Sequence, residues 1–333
     1  MVPAFTLPVT PSLIFLLNPR ELRSFFGQDT VPDLAAAGST FLPSSEPDVT
    51  RCLETLRPEV LVTGWSTKSL PADWLGSTDC SLKYICHLTG SVRELVPRVF
   101  LERGGLVTNW GSLVAPQVAE HALLLALAAL RNLPSWGPGS LDCKDTTRTL
   151  FGKTVGLHGF GKIARSLREL LRPFGVRVLS YSKGVPADYM TAHGVEPCAS
   201  LPELFANSAV LFGCEALTGE TARSVTAEVL AALPDGAVFV NVGRGKVVDE
   251  PALIREAESG RLRIALDVVA HEPLPPDSPL ARLPNVIYSP HIAGPTGDQF
   301  IQCGRQALEN LDRYFHQLPL EAQVTLEIYD RST

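Results

Sequence analysis

Gly159-Phe160-Gly161-Lys162-Ile163-Ala164 follows the short apolar run Thr154–His158 and opens a stretch in which Ile163, Ala164, Leu167, Leu170 and Leu171 recur at helical spacing. A strand, a Gly-x-Gly-x-x-Ala turn and a helix in that order form a dinucleotide-binding fingerprint. The glycines allow the tight turn and the close approach of backbone to a pyrophosphate, and the small sixth residue packs helix on sheet. The unpaired N–H groups and dipole of the helix N-terminus favour the negative charge.

The beat continues C-terminally. Gly175 stops the first helix, and 176–181 reads as the next strand. Ser200 and Glu203 form a capping-box pair, and 209–212 is apolar again. A helix over 226–233 ends at Pro234-Asp235-Gly236 before a strand at 237–241. Asp249 caps a helix carrying Leu253, Ile254 and Ala257, Gly260 ends it, and strands follow at 264–268 and 285–289. Strands separated by such helices specify βαβ units and a parallel sheet covered on both faces. Upstream, 12–17, 60–63, 84–88 and 106–109 read as buried strands. A helix over 120–131 is apolar on nearly every side and must be covered all round. Residues 133–149 read as loop, and one long helix is expected over 297–317. The predicted fold is α/β, with two Rossmann-like domains, each a doubly wound parallel sheet, and a cleft between them. Residues 119–294 form the NAD(P)-binding domain, and 1–118 plus 295–333 a discontinuous substrate domain. The chain crosses between them twice, so hinge closure over the cleft is expected.

With 333 residues, 45% hydrophobic and 19% charged, the chain carries ample core for two domains and is not disordered. A net charge of −6 without a basic stripe argues against nucleic acid as partner. The longest apolar run, 122–130, is too short to span a bilayer, and 1–17 has no early Lys or Arg and no small-residue cleavage pattern, so neither membrane span nor signal peptide is expected. Seven cysteines without a CxxC pair read as reduced thiols of a cytoplasmic protein, not as disulfides or a zinc site. The histidines at 87, 121, 158, 193, 271 and 316 have no ligand spacing, and no metal is expected. Trp65, Trp74 and Trp110 read as core or cleft wall.

The fingerprint expects an acid about 20 residues on, at the end of the second strand, to hold the ribose hydroxyls. Ser182 and Lys183 stand there instead. The pair leaves room and a cation for a 2′-phosphate, which tilts the choice between NAD(H) and NADP(H) toward NADP(H).

Three further segments lie just after predicted strands: Asn241-Val242-Gly243-Arg244-Gly245, Ala265-Leu266-Asp267-Val268-Val269-Ala270-His271-Glu272-Pro273-Leu274 and Ser289-Pro290-His291-Ile292-Ala293-Gly294. With the Gly159 turn they resemble, in order and spacing, the D-isomer-specific 2-hydroxyacid dehydrogenase family, over about residues 60–313. The resemblance implies that Arg244 clamps a substrate carboxylate, that His291 is the general acid/base and that Glu272 orients it and favours its protonated form. It implies coenzyme contacts at Gly159, Gly161, Lys162, Ile163, Ser182, Lys183, Glu215, Ala216, Thr221, Val242, Gly243, Arg244, Asp267, His291 and Gly294, with Asp267 near the nicotinamide carboxamide. Cys214 and Ala216 depart from the family pattern in the adenosine-side loop. Thr89, Gly90 and Ser91 resemble the turn that meets the substrate carboxylate together with Arg244, and Arg93 offers a further cation there. The resemblance also implies that 120–131 lies at the interface of a homodimer.

The expected function is hydride transfer between NAD(P)H and a small 2-keto acid or D-2-hydroxy acid, with glyoxylate or hydroxypyruvate as first choice of substrate. The alternatives are a phosphoglycerate dehydrogenase-like enzyme and a non-catalytic dinucleotide-sensing scaffold. A formate dehydrogenase would have a neutral residue at position 272.

Overall fold

The computed structural model describes residues 12–36, 38–137 and 141–331. Residues 1–11 of the segment read for a signal peptide, 138–140 of the expected loop and the side chain of Cys143 lie outside the described residues. The chain divides into two compact units, Met1–Leu113 with Thr296–Thr333, and Val114–Pro295.

In the first unit, β1 (Leu13–Leu16), β2 (Thr40–Leu42), β3 (Val60–Thr63), β4 (Tyr84–His87) and β5 (Leu106–Thr108) form a parallel sheet in the order β2-β1-β3-β4-β5. Four of these are apolar runs buried on both sides, the pattern a covered parallel sheet requires. The sequence reading omits β2, an only partly buried edge strand of Thr40-Phe41-Leu42, too short to carry a period. The expected 297–317 helix runs over Phe300–Phe315 and buries Cys303, Ala307, Leu308 and Leu311.

In the second unit, β6 (Thr154–His158), β7 (Arg177–Tyr181), β8 (Glu196–Pro197), β9 (Val210–Gly213), β10 (Val238–Asn241), β11 (Arg263–Leu266) and β12 (Val286–Tyr288) are all parallel, in the order β12-β11-β10-β9-β6-β7-β8. Counted from β6 this is the doubly wound 3-2-1-4-5-6 order with one strand added beyond the sixth. The sequence reading omits β8, whose two exposed residues include a proline. Successive strand residues point to opposite faces, so each strand feeds two cores. Val210 and Phe212 pack with Ala122, Ala126, Ala164 and Leu167 of the Ala115–Leu130 and Lys162–Leu171 helices, whereas Leu211 packs with Leu204, Leu230 and Leu253 on the other side.

Three local expectations are corrected. Leu170 is 38% exposed, because at the end of the Lys162–Leu171 helix the buried stripe runs through Ala164, Leu167 and Leu171. The apolar helix begins at Ala115, with Pro116 in its first turn where no N–H is needed. Residues 133–149 contain 3₁₀ turns at Leu133–Ser135 and Leu141–Thr146. At that helix's other end Arg263 Nη1 donates to the carbonyls of Ala129 and Leu130, both at 3.0 Å, which an interior helix end leaves without partners. Among the described residues no helix is long and apolar enough to cross a membrane. The six described cysteines are free thiols.

Candidate active site

The strand order reverses between β6 and β9, and β7 flanks β6 on its other side. The carboxyl ends of these three strands bring Gly159, Glu215 and Ser182 together: His158 is in register with Tyr181 and with Gly213. Gly159 has φ +90°, and a Cβ there would lie 2.8 Å from N and Cα of Glu215, so only glycine lets the loop after β9 fold over the turn. Gly161 is the N-cap of the Lys162–Leu171 helix and has no side chain to accept from the helix's first N–H groups, and a Cβ at Gly161 would meet nothing within 4 Å. Open space beside uncapped N–H donors fits the pyrophosphate of a dinucleotide. Lys162 opens this helix at the surface, and Ile163 packs half-buried against the core.

At the end of β7, Ser182 Oγ donates to Glu215 Oε2 at 3.4 Å. Lys183, read from the sequence as a cation available to a 2′-phosphate, instead places Nζ 2.8 Å from Glu220 Oε2. The 214–221 loop is tied internally: Thr221 Oγ1 donates to the Ala216 carbonyl at 2.6 Å and accepts from Thr218 N at 2.7 Å.

After β10, Asn241 shapes the next loop by accepting from Gly243 N at 3.1 Å and donating to the Arg244 carbonyl at 3.2 Å. Val242 N donates to the Gly213 carbonyl at 3.0 Å. A Cβ on Gly243 would lie 2.7 Å from the Glu215 carbonyl oxygen, and one on Gly245 would lie 1.9 Å from the Val269 carbonyl carbon. Both glycines are required by close backbone approach. Between them Arg244 is half-buried, with Nη1 donating to the Gly243 carbonyl at 2.8 Å. Burial pulls its guanidinium pKa down while the Glu272 charge pushes it up, with a net lowering that leaves the group cationic.

After β11 and β12 the chain brings His291 to Glu272, with Nδ1 2.7 Å from Oε2. His291 has φ +53°, a left-handed conformation uncommon for a side chain of this size, held by its N–H to the carbonyls of Asp267 (2.9 Å) and Ser289 (3.0 Å). The buried Asp267 carboxylate braces the same loop: Oδ1 accepts from Ser289 Oγ at 2.6 Å and Ile292 N at 2.9 Å, and Oδ2 from Ala293 N at 3.1 Å. Burial alone would raise its pKa, but bonds from His121, Ser289, Ile292 and Ala293 hold it below the ordinary value. Gly294 lies against the start of the Ala115–Leu130 helix, where a Cβ would meet Val114 Cγ1 at 2.6 Å.

The Thr89-Gly90-Ser91 turn belongs to the other unit, just after β4. Buried His87 accepts or donates at both ring nitrogens, Nδ1 2.9 Å from Thr63 Oγ1 and Nε2 2.6 Å from Thr89 Oγ1. Burial pushes this imidazole down to about 4. A Cβ on Gly90 would lie 2.7 Å from the Trp110 ring, and Trp65 meets Trp110 edge to face. Arg93 is exposed.

Sequence reasoning missed His121 and Glu220 and the parts played by Ser289 and His87. Ser289 opens the quoted 289–294 segment and His87 ends β4, but neither position announces its partner. His121 comes from a helix remote in sequence, its Nε2 2.8 Å from Ser289 Oγ, so only the tertiary structure reveals it.

Comparison with known proteins bears on this arrangement. A profile described as D-isomer specific 2-hydroxyacid dehydrogenase, NAD binding domain, matches residues 125–293. The chain is 33% identical to a glyoxylate/hydroxypyruvate reductase of Arabidopsis thaliana, over 68% of this chain and 71% of that one. It is 34% identical to a D-3-phosphoglycerate dehydrogenase of Mycobacterium bovis over 63% of this chain, and the match spans only 40% of that relative's length. The fold resembles the solved 2-hydroxyacid dehydrogenase of Ketogulonicigenium vulgare Y25, with TM-score 0.80 and 25% identity over 96% of this chain and all of the other.

Proposed function

The chain belongs to the D-isomer-specific 2-hydroxyacid dehydrogenase family, and from that premise we propose that it reduces a small 2-keto acid to the D-2-hydroxy acid, or runs the reverse reaction, with glyoxylate or hydroxypyruvate as the preferred keto acid. The observation that carries this reading is the His291–Glu272 pair at 2.7 Å, with Arg244 close enough to feel the Glu272 charge. Glu272 occupies Nδ1 of His291 and so leaves Nε2 as the nitrogen for proton transfer. In reduction, Nε2–H protonates the carbonyl oxygen while the carboxylate at Nδ1 keeps the ring oriented. Arg244, planar and always charged, binds the substrate carboxylate bidentately and polarises the adjacent carbonyl. Thr89, Gly90 and Ser91 are proposed as substrate-binding residues of the first unit. A reduced nicotinamide supplies the hydride. Gly159, Gly161, Lys162 and Ile163 would hold its pyrophosphate, Ser182, Lys183, Glu215, Ala216 and Thr221 its adenosine half, and Val242, Gly243, Asp267 and Gly294 its nicotinamide side.

A second reading, oxidation of 3-phosphoglycerate, is favoured by the mycobacterial relative. The test follows nicotinamide absorbance with both coenzymes against glyoxylate, hydroxypyruvate and, in the oxidative direction, 3-phosphoglycerate. Turnover of a keto acid with loss of activity in Arg244→Ala is expected. Turnover of 3-phosphoglycerate alone selects the second reading, and tight coenzyme binding with no turnover overturns both in favour of a sensing scaffold.

The tilt to NADP(H) drawn from Ser182 and Lys183 loses support from the Lys183–Glu220 pair. We further propose a homodimer, supported by the apolar Ala115–Leu130 helix on which Leu124 remains 58% exposed. Light scattering that reports only the 35.9 kDa monomer at micromolar concentration overturns this. The free thiols support a reducing, cytoplasmic setting.

A further inference from the structure

The end of β7 is where a doubly wound dinucleotide site places the acid that holds the ribose hydroxyls, and Ser182 and Lys183 supply none. Yet a carboxylate does reach that place. Gly213 ends β9, two strand spacings (about 10 Å) from β7, and the chain then turns back over β6. The missing side chain of Gly159 makes the crossing possible, since a Cβ there would lie 2.8 Å from the Glu215 backbone. Gly243 serves it from the other side, its absent Cβ leaving room for the Glu215 carbonyl oxygen at 2.7 Å. The Glu215 side chain then continues across to accept from Ser182 Oγ at 3.4 Å through Oε2, with Oε1 anchored on Ala216 N at 3.1 Å.

We propose that Glu215 is the coenzyme-selecting acid of this chain: delivered from the loop after β9 across Gly159, it supplies the carboxylate that position 182 lacks and makes the site prefer the free 2′-hydroxyl of NAD(H) over the 2′-phosphate of NADP(H). The proposal rests on the dinucleotide reading given above. Lys183 pairs with Glu220 at 2.8 Å, and among the described residues no cation forms an ion pair with the Glu215 carboxylate that reaches Ser182. A carboxylate accepts hydrogen bonds from ribose hydroxyls, whereas a phosphate brought to it meets like charge. Burial raises the Glu215 carboxyl above its ordinary range, opposed by the bonds from Ala216 N–H and Ser182 O–H. A group so enclosed has little water with which to screen its repulsion of a second anion.

The competing possibility is that Glu215 only braces two loops. Calorimetric titration with ADP-ribose and with its 2′-phosphorylated form separates the two without any need for turnover. Wild type should bind ADP-ribose at least about tenfold more tightly, a difference of about 1.4 kcal/mol. Glu215→Gln keeps size and hydrogen bonding but removes the charge, and should narrow the gap to within about threefold by gaining affinity for the 2′-phosphate. Glu215→Ser gives the same comparison should the glutamine variant fold poorly, and Ser182→Ala, which leaves the charge, should keep the preference. Equal or tighter wild-type binding of the phosphorylated ligand, an unchanged gap in the Glu215 variants, or a parallel loss of both affinities overturns the proposal. If neither ligand binds wild type, the dinucleotide reading itself fails and the proposal with it.

Discussion

His291 and Glu272 meet at 2.7 Å, although they leave the sheet after different strands, β12 and β11. Asp267 holds the His291 backbone through its carbonyl and the flanking Ile292 and Ala293 N–H groups through its carboxylate, so the imidazole is fixed from two sides. A proton donor held in this way should be felt in kcat and not in coenzyme binding. His291→Ala is expected to lower kcat by roughly 10²–10⁴ with little change in the Kd of NAD(P)H. Retention of more than about a third of wild-type kcat would remove His291 from the role.

Glu272→Gln keeps the shape of the pair and removes the carboxylate that holds Nδ1 of His291. The imidazole loses the partner that orients Nε2, so kcat in reduction should fall by about tenfold or more while the Kd of NAD(P)H stays within about twofold. A kcat within about twofold of wild type contradicts the assignment.

The two glycines of the β6 turn should fail differently. At Gly161 an added methyl meets nothing of the protein, so Gly161→Ala should fold with an unchanged Tm yet bind dinucleotide at least about tenfold more weakly, because the methyl occupies the space assigned to the pyrophosphate. At Gly159, φ +90° and a clash with the Glu215 backbone should add a loss of stability of about 1–3 kcal/mol. Wild-type dinucleotide affinity in Gly161→Ala would place the pyrophosphate elsewhere.

Two buried imidazoles set an acid limit on stability. Burial pushes both His87 and His158 down to about 4, against about 6.5 in an unfolded chain. Between those values the unfolded state binds protons that the folded state excludes. Stability present above pH ~6.5 is therefore lost as pH falls, by roughly 2 kcal/mol per histidine between pH ~7.5 and ~5. His158→Leu should shrink that acid loss by about one histidine's share in urea titrations at the two pH values. An undiminished acid loss in the variant would show that His158 is not responsible.

Much of this arrangement is legible along the chain because it is written locally. Thr154–His158 followed by two spaced glycines announces a strand, a turn and a helix N-terminus within a dozen residues. The apolar runs of β3, β6 and β10 are strands that a parallel sheet buries on both sides, so burial itself imprints the pattern. Asp249 and Ser200 mark helix starts because their side chains accept from N–H groups three residues on. The strands β2 and β8 escaped because an exposed edge of two or three residues needs no apolar period. The charge environment escaped for a different reason. Nothing near Ser182 in sequence reveals that Glu215 arrives across one intervening strand, or that Glu220 takes up Lys183, and nothing near Asp267 reveals His121. Which residue types stand at the ends of which strands follows from the chain alone, since propensity, capping and alternation act over a few residues. Which of those charges meet follows only from the folded arrangement, because Coulomb and hydrogen-bond energies depend on distances that the order of strands in the sheet sets, not on separation along the chain.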